Sequence, residues 1–282
     1  MAVSVVLTIV ALAYALGAYK RRSRMTANCL PKPIRALAVG CGLLIIYVAL
    51  ASPLDDLADQ MLSAHMVQHL LLMLLAAPLL VWARPMPVLM RSPPLPIRKA
   101  IARLWNRCGL SVIVRALERP TASWTVFCGT VIFWHVPAVY RWAVGGEIRH
   151  SLMHLSFLGS GLLFWSVVLE PAGRHRLNYA SSALYVFSAA LITGLPGALI
   201  AFTQRTIYVA EPHPPPFGLT ALADQQLAGL LMWIPMDLVL FGVALALFGT
   251  ALGVRRIDYG TRTLTASTSF HPIEEVKNVP HA

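Results

Sequence analysis

Charge is scarce in this sequence, and negative charge scarcest. Only 12% of its 282 residues are charged, and 12 Asp and Glu stand against 23 Lys and Arg. A soluble globular domain carries about 25% charged residues, so the composition excludes that class. Cysteine is sparse too. Cys29, Cys41, Cys108 and Cys128 form no CxxC pair, which argues against a disulfide framework. Cys41 and Cys128 fall in apolar runs, where cysteine serves as a small buried hydrophobe. No nucleophile–base pair and no phosphate-binding loop stands out, so nothing argues for an enzyme.

Apolar residues are abundant: 57% of the chain is hydrophobic and the mean hydropathy is +0.66. They come in blocks, not in alternation, which predicts an all-α polytopic membrane bundle of about seven transmembrane helices. The blocks cover residues 3–19, 34–51, 61–82, 121–141, 148–169, 179–202 and 225–252. We expect one domain over residues 1–254 and a polar, poorly ordered tail at 255–282. The first block resembles a signal peptide in length, but its basic cluster Lys20, Arg21, Arg22 and Arg24 follows the apolar run, so it reads as a retained span. Gly194, Pro196 and Gly197 predict a kink in the sixth. Between the third and fourth spans lies a long basic connection. There Lys99, Arg103 and Arg107 recur every four residues, with Ile97, Ile101 and Leu104 on another face. That pattern suits a helix lying in the headgroups of an anionic leaflet, with a solvated loop helix as the plainer alternative.

Lys and Arg are distributed unevenly. The segments after spans one, three, five and seven hold six, eight, two and four of them, or 20 of the 23; only Arg141, Arg149 and Arg205 fall on the other side. The positive-inside rule then predicts an outside N-terminus and a cytoplasmic C-terminus. The same asymmetry explains the net charge of +11 without a nucleic-acid partner.

This orientation gives the histidines a shared depth. His65 and His69 stand four residues apart near the start of the third span, and His150 and His154 repeat the spacing at the start of the fifth. Residues i and i+4 leave one helix face. His135 lies six residues from the end of the fourth span, about 9 Å in depth. All five fall in one layer of the outer half. Imidazoles inside a membrane are costly unless they bind or pair. Two on one face can chelate a metal, and thioethers nearby bias the choice toward Cu(I). Met66, Met73, Met153 and Met232 are weaker candidates by proximity, as are Asp55 and Asp224 at the outer mouth, with Gln68 close to the first pair. Plainer roles stand beside each. A histidine can hydrogen-bond a neighbouring helix, His135 can satisfy the carbonyl that Pro137 frees, and His150 can be solvated. Methionine is ordinarily packing, and Asp55 can simply start a helix. His175, His213, His271 and His281 fall in loops or the tail, where no ligand role is expected.

Six stretches in order carry a family resemblance: SPLD at 52–55, HMVQHLLLM at 65–73, WHVPAVY at 134–140, HSLMHLSF at 150–157, GLLFW at 161–165 and DQQLAGLLMW at 224–233. Over residues 37–252 the chain resembles the bacterial, multi-span CtaG-type cytochrome c oxidase assembly factors. The resemblance implies a multi-pass protein of the bacterial inner membrane. It implies assistance in assembling a haem–copper oxidase, with copper as the cofactor handled and oxidase subunit I as the partner receiving it at the CuB centre. It implies His65, His69, His135, His150 and His154 as metal ligands. Beside the lipid bilayer and the oxidase, self-association stays open. Two other readings compete: a b-type membrane cytochrome with axial histidines from facing helices, and a copper transporter, for which Asp237 is the polar group in the inner half.

Overall fold

A computed structural model of the chain describes residues 2–22, 33–169, 177–208 and 216–267, with side chains over 3–20, 33–169, 177–208 and 216–253. Cys29, His175, His213, His271 and His281, the stretch 23–32, most of the Pro-rich loop and the tail from 268 lie outside the described residues. Among the described residues there is no strand and no disulfide; Cys41, Cys108 and Cys128 are free thiols.

The chain runs through α1 (Ala2–Arg22), α2 (Pro33–Ala51) and a single-turn-and-a-half α3 (Pro53–Ala58). The third span follows as α4 (Leu62–Leu70), a π-helical segment (Leu71–Ala76) and α5 (Ala77–Ala83). After short α6 (Met86–Leu89) come α7 (Leu95–Arg107), α8 (Leu110–Leu117), α9 (Pro120–Trp134) and α10 (Pro137–Val144). The chain ends with α11 (Glu147–Leu169), α12 (Tyr179–Phe202) and α13 (Ala221–Ser267). Six helices are long and apolar enough to cross a membrane, and the α9–α10 pair makes a seventh if counted as one bent span.

The local signals at the helix ends are physical ones. Ser52 caps α3 by accepting from the Leu54 backbone N–H at 3.2 Å, Pro53 fits the first turn, and Asp55 and Asp56 complement the helix dipole there. Asn178 caps α12 by accepting from the Ser181 N–H at 2.8 Å. Gly109, with φ of 67°, makes the left-handed corner between α7 and α8.

Two expectations need correcting. The fourth span is not one helix over 121–141: Pro137 disfavours the α conformation at Val136, whose ψ is 123°, and α9 ends at Trp134. The chain then turns by 80° into α10. The seventh span, Ala221–Gly253, agrees with the expected 225–252, but α13 carries on through Ser267, into the residues expected to be a poorly ordered tail. Pro196 lies within one helix, since α12 is continuous over Tyr179–Phe202.

Five elements close into a ring: the third span packs on α11, α11 on α9, α9 on α12, α12 on α13, and α13 back on α4. Helix α2 packs outside the third span, and α1 outside α2. The ring is filled by Phe127, Phe157 and Phe164, all fully buried, with Phe127 stacked on Phe164 at 4.2 Å and Phe164 on Tyr185 at 4.9 Å. Its outer faces are apolar. Leu184, Leu191, Leu195, Leu199 and Phe202 on α12 recur at helical spacing and are 45–71% exposed when Phe187 between them is included. Such a surface matches bilayer hydrocarbon, and with six helices long and apolar enough to cross a membrane the protein is a multi-pass membrane protein. No residue of α7 or α8 is buried, and Ile97, Ile101 and Leu104 leave the apolar face of α7 uncovered by protein.

Helices α12 and α13 cross at small residues. A methyl group on Gly229 would meet the Ala201 backbone nitrogen and stand 2.7 Å from the Gly197 carbonyl oxygen, both rigid backbone. Gly229→Val should therefore destabilise the detergent-solubilised protein by about 1–3 kcal/mol. Gly242→Ala, where a methyl group meets nothing within 4 Å, should show no loss. Thermal unfolding of the two variants measures the difference; equal melting temperatures would mean that the crossing is looser than described.

Candidate metal centre

The first turns of α4 and α11 bring four imidazoles together. His65 and His69 lie on one face of α4 with ring centroids 4.5 Å apart, and His150 and His154 on α11 are likewise 4.5 Å apart. Across the helix interface His65 stacks on His150 at 4.9 Å and approaches His154 at 5.4 Å, while His69 approaches His154 at 5.4 Å. One ring nitrogen each from His65, His150 and His154 lies within 4.8 Å of the others. His65, His69 and His154 are buried, whereas His150 is half-buried at the mouth.

His135 stands on the far side of His69, 6.0 Å from it. Its Nδ1 contacts the Val131 carbonyl oxygen at 2.6 Å and its Nε2 lies 3.3 Å from the Met66 sulfur. The bond goes to Val131 and not to the Phe133 carbonyl that Pro137 frees, which accepts instead from the Val136 N–H at 3.2 Å. The Val131 contact is the orienting bond that metal-bound imidazoles commonly make. So the five histidines form a continuous string, three at the mouth, His69 in the middle and His135 beyond.

The nitrogens are short of partners. Nε2 of His65, His150 and His154, and both nitrogens of His69, are buried without a hydrogen-bond partner among the described residues. Each such group costs about 1–3 kcal/mol. This orphaned donor set fits a soft or borderline metal ion, which would recover that cost at several nitrogens at once.

The surrounding polar residues have structural duties. Asp224 accepts from the Leu62 N–H at 2.7 Å, the Ser63 N–H at 3.2 Å and the Ser63 hydroxyl at 2.5 Å. It caps α4 from another helix, since Met61 at the cap position offers no side-chain bond. Gln225 accepts from the N–H groups of Ile207 and Tyr208 at 2.7 and 3.0 Å and donates to the Arg205 carbonyl, while Gln226 donates to the Thr203 carbonyl. These bonds hold the loop so that the Tyr208 hydroxyl donates to the His135 carbonyl at 2.5 Å, the carbonyl left open by the break before Pro137. Burial pushes the Tyr208 hydroxyl up to about 12, so it stays a donor. Gln68 donates to the Ala49 carbonyl at 2.7 Å and to Asp55 at 2.8 Å. Burial raises the Asp55 carboxyl above its ordinary value, and the Gln68 bond opposes that shift.

The π segment serves the same region. It leaves carbonyls without the regular i+4 donor, and the buried Trp165 indole donates to the Met73 carbonyl at 2.8 Å. A methyl group on Gly161 would press on Ala77 at 3.1 Å and on the Met73 Cα at 3.4 Å, so glycine lets α11 approach here. Met66, Met73, Met153 and Met232 are all buried. Met66, Met73 and Met232 border a narrow cavity with His69 and His135, whereas Met153 does not. Tyr140, 5.5 Å from His65, together with Tyr208 and Met236, belongs to this neighbourhood although sequence reasoning passed over all three. Only Tyr140 had a signal, because it closes the WHVPAVY stretch.

A bundle of six spans, or seven if the bent α9–α10 pair counts as one, around a string of clustered histidines defines a polytopic membrane protein. The chain belongs to the cytochrome c oxidase caa3 assembly factor family, whose family model matches residues 12–252. The match begins earlier than the resemblance at 37–252 suggested and takes in much of α1. No curated protein and no solved structure matches the chain.

The two candidate duties of Asp224 can be separated. Asp224→Ala leaves the start of α4 uncapped and should destabilise the protein by about 1–3 kcal/mol, while any metal that the unaltered protein takes up should still bind. An unchanged melting temperature with metal binding lost would make Asp224 a ligand instead.

Proposed function

We propose that this protein is a non-enzymatic assembly factor for a haem–copper cytochrome c oxidase, holding Cu(I) at the histidine mouth and passing it to the CuB centre of subunit I. The observation that carries this reading is the convergence of His65, His150 and His154, with unpartnered Nε2 atoms, within 4.8 Å on two helices. The family supplies the oxidase; the donor set supplies the metal. The Lys and Arg asymmetry supports a histidine end on the outer side with the C-terminus in the cytoplasm, and the family supports a bacterial inner membrane. An outer-half site is the depth at which copper would be handed between membrane proteins.

Two features favour assembly over the other readings. The imidazoles touch one another, Phe157 covers His69 at 4.1 Å, and the space beside them is narrow, which leaves no slot for a flat macrocycle. Below them Phe127, Phe164 and Tyr185 stack across the ring, and Asp237, the inner-half group a transporter would use, accepts from the Trp233 indole at 2.8 Å. That arrangement suits a site loaded and emptied from one side.

His65→Ala and His154→Ala should each leave a protein that inserts at normal membrane levels but yields an oxidase short of copper. The measurement is copper content and activity of the oxidase purified from each strain, beside immunoblots of the membranes. An oxidase with full copper from the double variant would remove the delivery role.

A further inference from the structure

Beyond the mouth, four methionines and two histidines border one narrow, otherwise apolar space. Met66 and His69 come from α4, Met73 from the π segment, His135 from the end of α9, and Met232 and Met236 from α13. The space amounts to ≈ 10 Å³ for a water-sized body, about the room of one water or one ion. All four methionines are at least 96% buried.

The contact between His135 and Met66 is chemically odd for a packing contact. A backbone carbonyl only accepts, so the 2.6 Å bond to the Val131 oxygen puts the ring proton on Nδ1. Nε2 of the neutral ring is then an open lone pair, and it faces the Met66 sulfur at 3.3 Å, itself an acceptor. Two lone pairs facing each other gain nothing unless a cation bridges them. The two atoms stand 3.3 Å apart, and an ion bonded to both at about 2.0 Å to nitrogen and 2.3 Å to sulfur would spread them only slightly, to about 3.5 Å in tetrahedral geometry. His69, which also borders this space, has two unpartnered nitrogens of its own. Thioether and imidazole donors with no carboxylate select a soft monovalent ion.

We infer that this cavity is a second, deeper binding position for Cu(I), anchored by His135 and Met66 and completed by the thioethers of Met73, Met232 and Met236. His69 stands between the two positions, 4.5 Å from His65 on one side and 6.0 Å from His135 on the other, and is shared by them in turn. The inference rests on the proposed function only for the choice of copper. The mouth offers nitrogen alone, whereas the deeper position offers mainly sulfur, so an ion moves from harder to softer donors as it goes inward.

The test is anaerobic Cu(I) titration of the purified full chain in detergent against a chromogenic chelator, with X-ray absorption of the loaded protein. The wild type should bind two ions per chain and show sulfur as well as nitrogen neighbours. The volume-conserving pair Met66→Leu and Met236→Leu should lose one ion and the sulfur signal. His150→Ala with His154→Ala should lose the other ion and keep the sulfur signal. Nitrogen neighbours alone in the wild type would overturn the deeper site and leave the mouth standing, a result that needs no variant to fold. Sulfur neighbours with one ion, unchanged by the mouth variant, would support the deeper site and remove the mouth from the proposed function. A wild type that binds no Cu(I) would overturn both.

Discussion

Burying imidazoles in an apolar bundle without a carboxylate in hydrogen-bond contact is the constraint on which the rest of this structure depends. A buried carboxylate would hold a histidine charged, and a hydrogen-bonding neighbour would satisfy it. Here His69 has neither for either nitrogen, and three more rings leave Nε2 open. The chain tolerates that cost in the part of the bundle where five helices close a ring. Such unsatisfied groups are rare in native proteins, and a cluster of them in one place marks the site more strongly than any motif.

Holding the rings in place takes much of the polar inventory. The third span has no cap residue of its own, so Asp224 reaches across from α13 and fixes where α4 starts, and with it the depth of His65 and His69. Pro137 ends α9 so that His135 can turn inward, and the carbonyl thereby released is taken by Tyr208, whose loop Gln225 and Gln226 clamp. Gly161 and Trp165 accommodate the π segment from α11. Each polar residue of the DQQ stretch thus positions a histidine-bearing element without itself being an open donor.

The histidine layer was legible in the sequence because helical periodicity and depth are one-dimensional properties: four-residue spacing puts His65 with His69 and His150 with His154 on shared faces. That α4 and α11 would then face each other is a matter of packing between helices far apart in the chain, and spacing says nothing about it. Asp224 bonds residues more than 160 positions away, so its duty was invisible, and mouth position alone suggested a ligand. The π segment LLMLLA carries no composition signal that separates it from an α-helix. Met236 went unnoticed because methionine in an apolar helix ordinarily means packing; only its arrival at the same space as His69 and His135 changes that. The bend after Trp134 was written in the chain, since a proline preceded by valine disfavours helix, but hydropathy alone carried the span through it.

The spread of the mouth nitrogens bears on what such a site can do. Three ligands on one tetrahedral ion at about 2.0 Å stand about 3.3 Å apart, and the rings of His65, His150 and His154 present nitrogens held only to within 4.8 Å of one another. An ion bound there has to draw the rings inward against the packing of α4 on α11, and that work lowers its affinity below that of a rigid, preformed centre. A catalytic or structural metal would be served badly by this. A cargo metal that must leave again would be served well, and the half-buried His150 at the rim is the ring with the most freedom to open. The deeper residues are constrained differently: His135 is fixed at both its ring and its carbonyl, and the methionines around it are flexible enough to close on an ion without moving a helix. On the proposed reading, a loose nitrogen mouth above a tighter sulfur-lined space would be a gradient in retention as well as in donor softness, with His69, open at both nitrogens, between the two.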